Sequence, residues 1–229
     1  MNRYQQLVDA TRIDYAEHIL NNPLLQQLAS GRVTRDHYAR YLGETYHLVR
    51  HTSRTLALAA ARLGDERRGL RNWFLTQAGE EHGHELFCLK DLRNLGLDPQ
   101  QVIHHGPGPG AWGLVTQNYY MAGHGNPAGL LGVASATEGM GAELADGLAQ
   151  VLMEQYGLPA ETLTFLRSHA GFDGTHLDQA RRAIDEQVAD DDYEDILRAR
   201  RLTFRYYGQL FRDVATSTRR YFDELERAA

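Results

Sequence analysis

The sequence predicts an all-α protein folded as one domain over residues 1–229. Apolar residues recur at helical spacing through nearly the whole chain, and glycine or proline closes most of those runs. No stretch of any length shows the period-two alternation of a strand, and there is no internal repeat. A single core grows to roughly 250 residues before a chain divides, and no linker composition interrupts this one.

The elements follow in order. Leu7, Ala10, Ile13, Ala16 and Leu20 mark a first amphipathic helix over about Arg3–Asn21, stopped by Asn21-Asn22-Pro23. His18 on it is where a haem protein would look for an axial ligand, and a solvated helix histidine is the ordinary alternative. A short turn over Pro23–Ala29 ends at Gly31. Thr34 can cap one long helix to Leu63, stopped by Gly64, on which Glu44, His47 and His51 recur at i, i+3 and i+7. Asp65 opens the next, running through Glu81 and His84 to Leu95. His104 to Gly110 alternates proline and glycine and reads as an irregular loop with solvated histidines. A helix over Ala111–Ala122 follows. Asn126-Pro127 opens a long helix ending at Gly157, rich in small residues around Glu138. Pro159 leads into the helix bearing His169, where Gly171 and Gly174 each cost about 1 kcal/mol relative to alanine. That helix therefore either breaks there or is compensated by close packing. Asp190-Asp191-Asp192 caps a last, aromatic helix over about Tyr193–Glu226, whose surface suggests a homodimer.

Composition narrows the function. Acidic residues outnumber Lys and Arg by 30 to 24, giving a net charge of −6, which disfavours a nucleic-acid partner. The single cysteine, Cys88, excludes an internal disulfide, and eleven histidines favour nitrogen and oxygen metal ligation over thiolate sites. No apolar leader core and no run of 18 apolar residues is present, so a cytoplasmic protein without a membrane partner is expected.

The chemistry concentrates in Ser168-His169-Ala170-Gly171-Phe172-Asp173-Gly174-Thr175-His176. On a helix, His169, Asp173 and His176 leave one face within about 60° of each other. Two imidazoles and a carboxylate on one stripe suit a metal; a solvated polar face is the bland alternative. With Glu81 and His84, a Glu-x-x-His pair one turn apart, and Glu138 amid small residues, six nitrogen and oxygen ligands are available. That is enough for two irons or manganeses and too many for one catalytic zinc. The four-helix di-iron pattern of two lone glutamates and two Glu-x-x-His pairs is nearly met by Glu44, Glu81/His84, Glu138 and Asp173/His176, leaving His169 without a place.

Several stretches resemble the haem-oxygenase-like di-iron oxidases, a branch of the TenA/PqqC superfamily: YLGETYHLVRHTSR at 41–54, EEHGHELFCLKDLRNLGLD at 80–98, NPAGLLGVASATEG at 126–139 and HAGFDGTH at 169–176. The resemblance covers most of the chain, and its final His-x3-Asp-x2-His is the specific part. It implies a bundle of about seven helices, a buried site of two non-haem irons, and oxidation of a small molecule by dioxygen with an electron donor. The substrate class it implies is an amine, amino acid or fatty acid, with N-oxygenation or carbon–carbon cleavage as the chemistry. The family's ligands fall on His84, Glu138, His169, Asp173 and His176. The sixth is assigned to Glu81; Gln77 stands where some relatives carry theirs, and Glu44 is an additional candidate. One branch oxidises its own tyrosine, so Tyr46, Tyr119 and Tyr120 are noted beside the core-aromatic reading, and Cys88 is placed at the cavity edge. A TenA-like aminopyrimidine hydrolase, a PqqC-like cofactorless oxidase and a non-enzymatic iron-binding scaffold are the alternatives.

Overall fold

The computed structural model describes residues 2–216, less the side chains of Val102 and residues 170–173. Among the described residues there are eleven α-helices and no strand, so the expected class holds while the count exceeds seven. The helices are α1 (Arg3–Tyr15), α2 (Pro23–Ala29), α3 (Arg35–Val49), α4 (Thr52–Ala61), α5 (Arg68–Glu80) and α6 (Glu85–Asn94). They continue with α7 (Pro99–His105), α8 (Pro109–Gly123), α9 (Gly129–Tyr156), α10 (Thr164–Glu186) and α11 (Tyr193–Ala215). The portion of the expected last helix beyond Thr216, with Tyr221, lies outside the described residues.

The larger count has local causes. The long helix expected from Thr34 divides at Arg50-His51, where the His51 N–H reaches back three residues to Leu48 O at 3.1 Å and the ladder tightens. The one expected from Asp65 divides at Glu81–His84, where Gly83 turns to φ +90°, open only to glycine without strain. The stretch expected to be an irregular loop is helical up to His105. Asp98 Oδ1 accepts the Gln100 N–H at 2.9 Å with Pro99 in the first turn, and Gly106 at φ +77° ends the helix. Conversely, α10 runs unbroken past Gly171 and Gly174. A Cβ at Gly174 would meet nothing within 4 Å, so close packing does not explain that glycine.

The 28-residue α9 is the axis of the molecule and packs on α10 and α11. The small residues foreseen on it allow a close approach: a Cβ at Gly132 would collide with the Ile196 carbonyl oxygen of α11. Phe204 and Phe211, two of the aromatic residues of α11, are buried in this chain's own core with Ile19, Leu114 and Met140. Among the described residues, no helix is long and apolar enough to cross a membrane.

Candidate metal centre

The centre lies where the α5–α6 turn faces α9 and α10. Glu81 caps the C-terminus of α5, its N–H bonded to Gln77 O at 2.9 Å, and His84 sits just before α6. The two were expected one turn apart on a continuous helix. They meet instead across the glycine turn, with His84 Nδ1 3.3 Å from Glu81 Oε2. The two Glu81 oxygens face different partners: Oε1 lies 3.6 Å from His176 Nδ1. Glu138, on α9, places Oε2 3.6 Å from that same nitrogen.

The three histidines divide accordingly. His169 and His176 are seven residues apart on α10, about 10 Å along its axis, too far to meet at one ion. His169 stands edge-on to His84, ring centroids 5.1 Å apart, whereas His176 faces Glu138. Two groups result, Glu81–His84–His169 and Glu81–Glu138–His176, with the candidate ligand atoms of each group within 4.8 Å of one another. Glu81 belongs to both. His169, left without a place by the four-helix pattern, thus fills the group that holds the Glu-x-x-His pair.

Outer contacts orient the rings. His169 Nδ1 lies 2.9 Å from the Phe165 carbonyl, which can only accept, so Nδ1 carries the proton and Nε2 keeps its lone pair. His176 Nε2 lies 3.5 Å from Glu80 Oε2, and Gln77 Nε2 steadies that oxygen at 2.7 Å. A carboxylate behind an imidazole fixes its tautomer and raises its basicity as a ligand. Glu80 and the Phe165 carbonyl were not foreseen. Glu80 sits beside Glu81 in the sequence and nothing local distinguishes it as the outer one.

Burial and charge compete at these groups. Burial pushes Glu81 upward, yet the His84 bond and the charges of His84, His169 and His176 outweigh it and leave its carboxyl below the ordinary value. Burial holds His169 below the ordinary imidazole value against the Phe165 carbonyl bond and the pull of Glu81. The Glu138 hydrogen bond, opposed by burial and aided by the Glu138, Glu81 and Glu80 charges, raises His176. His176 thus lies among three carboxylates that favour positive charge at its place, and a metal ion bound there would displace protons from its ligands. Imidazole nitrogens and carboxylate oxygens with no thiolate suit iron or manganese.

Other foreseen residues fall elsewhere. The Asp173 side chain lies outside the described residues. Glu44 is buried but belongs to neither group: it accepts the Gly108 N–H at 2.8 Å with Arg40 3.9 Å away. Gln77 is buried beside the centre, its amide nitrogen given to Glu80 and Gln179. Cys88, expected at the cavity edge, is fully buried off the cavity wall, and burial pushes its thiol well above the usual range.

A cavity of about 160 Å³ adjoins the centre, with Glu81, Glu138 and His169 in its wall. The tyrosines that reach it are Tyr41 and Tyr207; Tyr46, Tyr119 and Tyr120 do not. The Tyr119 hydroxyl lies 3.0 Å from His51 Nδ1, and Tyr120 is exposed. His18 is not among the lining residues either.

Known structures share this architecture. A domain of unknown function with a haem-oxygenase-like fold from Shewanella denitrificans is 21% identical, with a TM-score of 0.85 over 98% of this chain and 95% of that one. A TenA homologue from Pseudomonas syringae pv. tomato is 15% identical, with a TM-score of 0.76 over 92% and 91%. Haem oxygenase from Leptospira interrogans is 17% identical, with a TM-score of 0.70 over 93% and 100%. At these identities the likeness establishes the haem-oxygenase-like fold alone. No curated protein matches the sequence significantly. Residues 39–208, which include every member of both groups around Glu81, match the family described as iron-containing redox enzymes, and the chain belongs to that family.

Proposed function

We propose that the chain is a non-haem di-iron oxidase that uses dioxygen and an electron donor to oxidise a small molecule. The observation that carries this reading is the sharing of Glu81 between two three-residue groups, the arrangement a carboxylate-bridged metal pair requires. Glu81, His84 and His169 would hold one iron and Glu81, Glu138 and His176 the other, with Asp173 a further ligand assigned by family resemblance. Iron, when bound, supplies dioxygen activation. The chain's own residues supply the rest. Phe165 O and Glu80 hold the outer nitrogens of His169 and His176, so that each ring meets the metal through a defined nitrogen. Leu130, Val133 and Ala134 on α9 keep the adjoining cavity apolar, which excludes water from reactive species.

Specific features weigh against the alternatives. A TenA-like hydrolase needs an accessible nucleophilic thiol, whereas Cys88 is buried, with its thiol pushed upward and off the cavity wall. A PqqC-like site needs cations for a multi-carboxylate substrate, and among the described residues no Lys or Arg lines this cavity. A cavity meeting the ligand cluster favours an enzyme over a bare iron scaffold.

Anaerobic reconstitution with ferrous iron is expected to load two irons per chain. Exposure to air with a library of small amines, amino acids and fatty acids should give substrate-dependent oxygen consumption. His169→Ala and His176→Ala should abolish it with helical circular dichroism unchanged. Zinc- or manganese-loaded protein turning over substrate anaerobically as fast as the iron form in air would overturn the proposal.

A further inference from the structure

Gln77 belongs to neither ligand group, yet its side chain is committed to the surroundings of one of them. It is 4% exposed and stands one turn before Glu81, whose N–H its carbonyl accepts. Its amide nitrogen lies 2.7 Å from Glu80 Oε2 and 2.5 Å from Gln179 Oε1. That nitrogen carries two protons and both neighbours are accepting oxygens, so both protons are spent and the orientation of the amide is fixed. Gln179 lies three residues beyond His176 on α10, on the same side of the helix, and Glu80 Oε2 is 3.5 Å from His176 Nε2. The contacts close a ring from His176 through Glu80, Gln77 and Gln179 back to α10. Glu80 is its loosest member: its side chain is 39% exposed, and its 3.5 Å approach to His176 is at the long limit of a hydrogen bond. The short bond to the buried Gln77 is what keeps it in place.

We propose that Gln77 is a positioning residue for the Glu81–Glu138–His176 group. One amide proton holds Glu80 behind His176 Nε2, and the other anchors the amide on Gln179. His176 Nδ1, which faces Glu81 and Glu138, is thereby the nitrogen turned to a metal. In the Glu81–His84–His169 group the Phe165 carbonyl does the orienting, so Gln77 acts on one group and not on the other. The inference rests on the reading above, in which each group takes one iron.

Gln77→Glu tests it, because the two side chains have nearly the same shape and the change turns a double donor into an acceptor facing two oxygens. Ferrous iron is titrated anaerobically into the full-length parent and variant against a competing chelator, and urea unfolding of the metal-free proteins is read alongside. One of the two iron equivalents should weaken by roughly 10- to 100-fold, the usual cost of losing an outer partner, while the other keeps the parent's affinity. The weakened equivalent should be the one that His176→Ala loses. Exchanging the pair, Gln77→Glu with Glu80→Gln, again sets a donor against an acceptor. It should bind that equivalent at least about 5-fold more tightly than Gln77→Glu alone, the gain from one net hydrogen bond. A residue that only filled space would show no such rescue. Should Gln77→Glu fail to fold, Gln77→Leu, which gives up the donors at similar volume, carries the same expectation for the two equivalents. Equal weakening of both equivalents, no weakening, failure of the exchange to rescue, or tighter binding, as if position 77 held the metal itself, would each overturn the proposal. A parent that takes up two irons while Gln77→Glu binds both equally well overturns this inference alone. A parent that takes up only one overturns the di-iron reading and this inference with it.

Discussion

Asp91 and Glu81 are both buried acids that bind the α5–α6 region to α10, yet their surroundings are opposite. Asp91, on α6 and 0% exposed, accepts the N–H groups of Thr164 at 3.0 Å and Phe165 at 2.8 Å, as well as the Thr164 hydroxyl. Its oxygens are consumed by donors at the start of α10, which would otherwise be orphaned. Glu81, 8% exposed, faces three imidazoles and shares His176 with the carboxylates of Glu138 and Glu80. A carboxylate surrounded by donors completes a fold; one surrounded by imidazoles and other carboxylates calls for a cation. The two are also linked mechanically. Asp91 fixes the start of α10 through the Phe165 N–H, and the carbonyl of that same residue orients His169 one turn later.

The sharpest way to break the comparison is to remove each acid and read both iron and stability. Glu81→Ala should reduce reconstituted iron from two per chain to near none, because both groups lose a ligand, while metal-free stability changes little. Iron analysis and urea unfolding of the same protein check it. Retention of one full equivalent would show that Glu81 is not shared.

Asp91→Ala should act the other way, destabilising the metal-free protein by about 3 kcal/mol by leaving buried donors unsatisfied. Iron should still bind to the protein that remains folded. An unfolding midpoint unchanged from the parent would remove the contrast.

A smaller effect is expected at Glu80, which touches His176 from outside either metal group. Glu80→Ala should weaken iron binding by roughly 10- to 100-fold without changing stoichiometry, the usual cost of losing an outer partner. A chelator competition titration measures it. Loss of one whole equivalent would make Glu80 a ligand.

The smallest effect belongs to a third acid of the Asp91 kind. Asp192 accepts from Arg67 at 2.6 Å, from Asn126 at 2.9 Å and from the Ala189 N–H at 2.9 Å. Burial pushes its carboxyl upward, but these partners outweigh it and hold it below the usual value of 3.8. A depressed acid contributes stability that is present above its unfolded value and lost as pH falls through the folded one. The stability difference between the parent and Asp192→Asn should therefore be constant above about pH 5 and shrink with acid below the usual aspartate range. A difference that grows on acidification would contradict the assignment.

Much of the molecule was legible in its sequence because helical periodicity and its stops are local. Asn22-Pro23 opens α2, Thr34 caps α3, and Gly157 ends α9 in the left-handed conformation at φ 64°. The stripe that sets His169 and His176 on one helix needs only the helical repeat, which α10 keeps through both glycines.

What the sequence could not decide is which acids turn inward and what each finds there. Glu44 and Glu81 look alike as candidates, but Glu44 meets the Gly108 N–H, 64 residues away, and is thereby satisfied. The break at Gly83, the division of two histidines of one stripe between two groups, and the arrival of Tyr41 and Tyr207 at the cavity in place of Tyr46, Tyr119 and Tyr120 are of the same kind. By itself the sequence determined the helices and the types of ligand they carry, because backbone hydrogen bonding within a helix reaches only four residues. Only the tertiary structure decided that Glu81 is shared between two groups and that Glu44 is not part of either. The partner of a buried polar group is whichever group packing brings from a distant part of the chain, and no local rule encodes it.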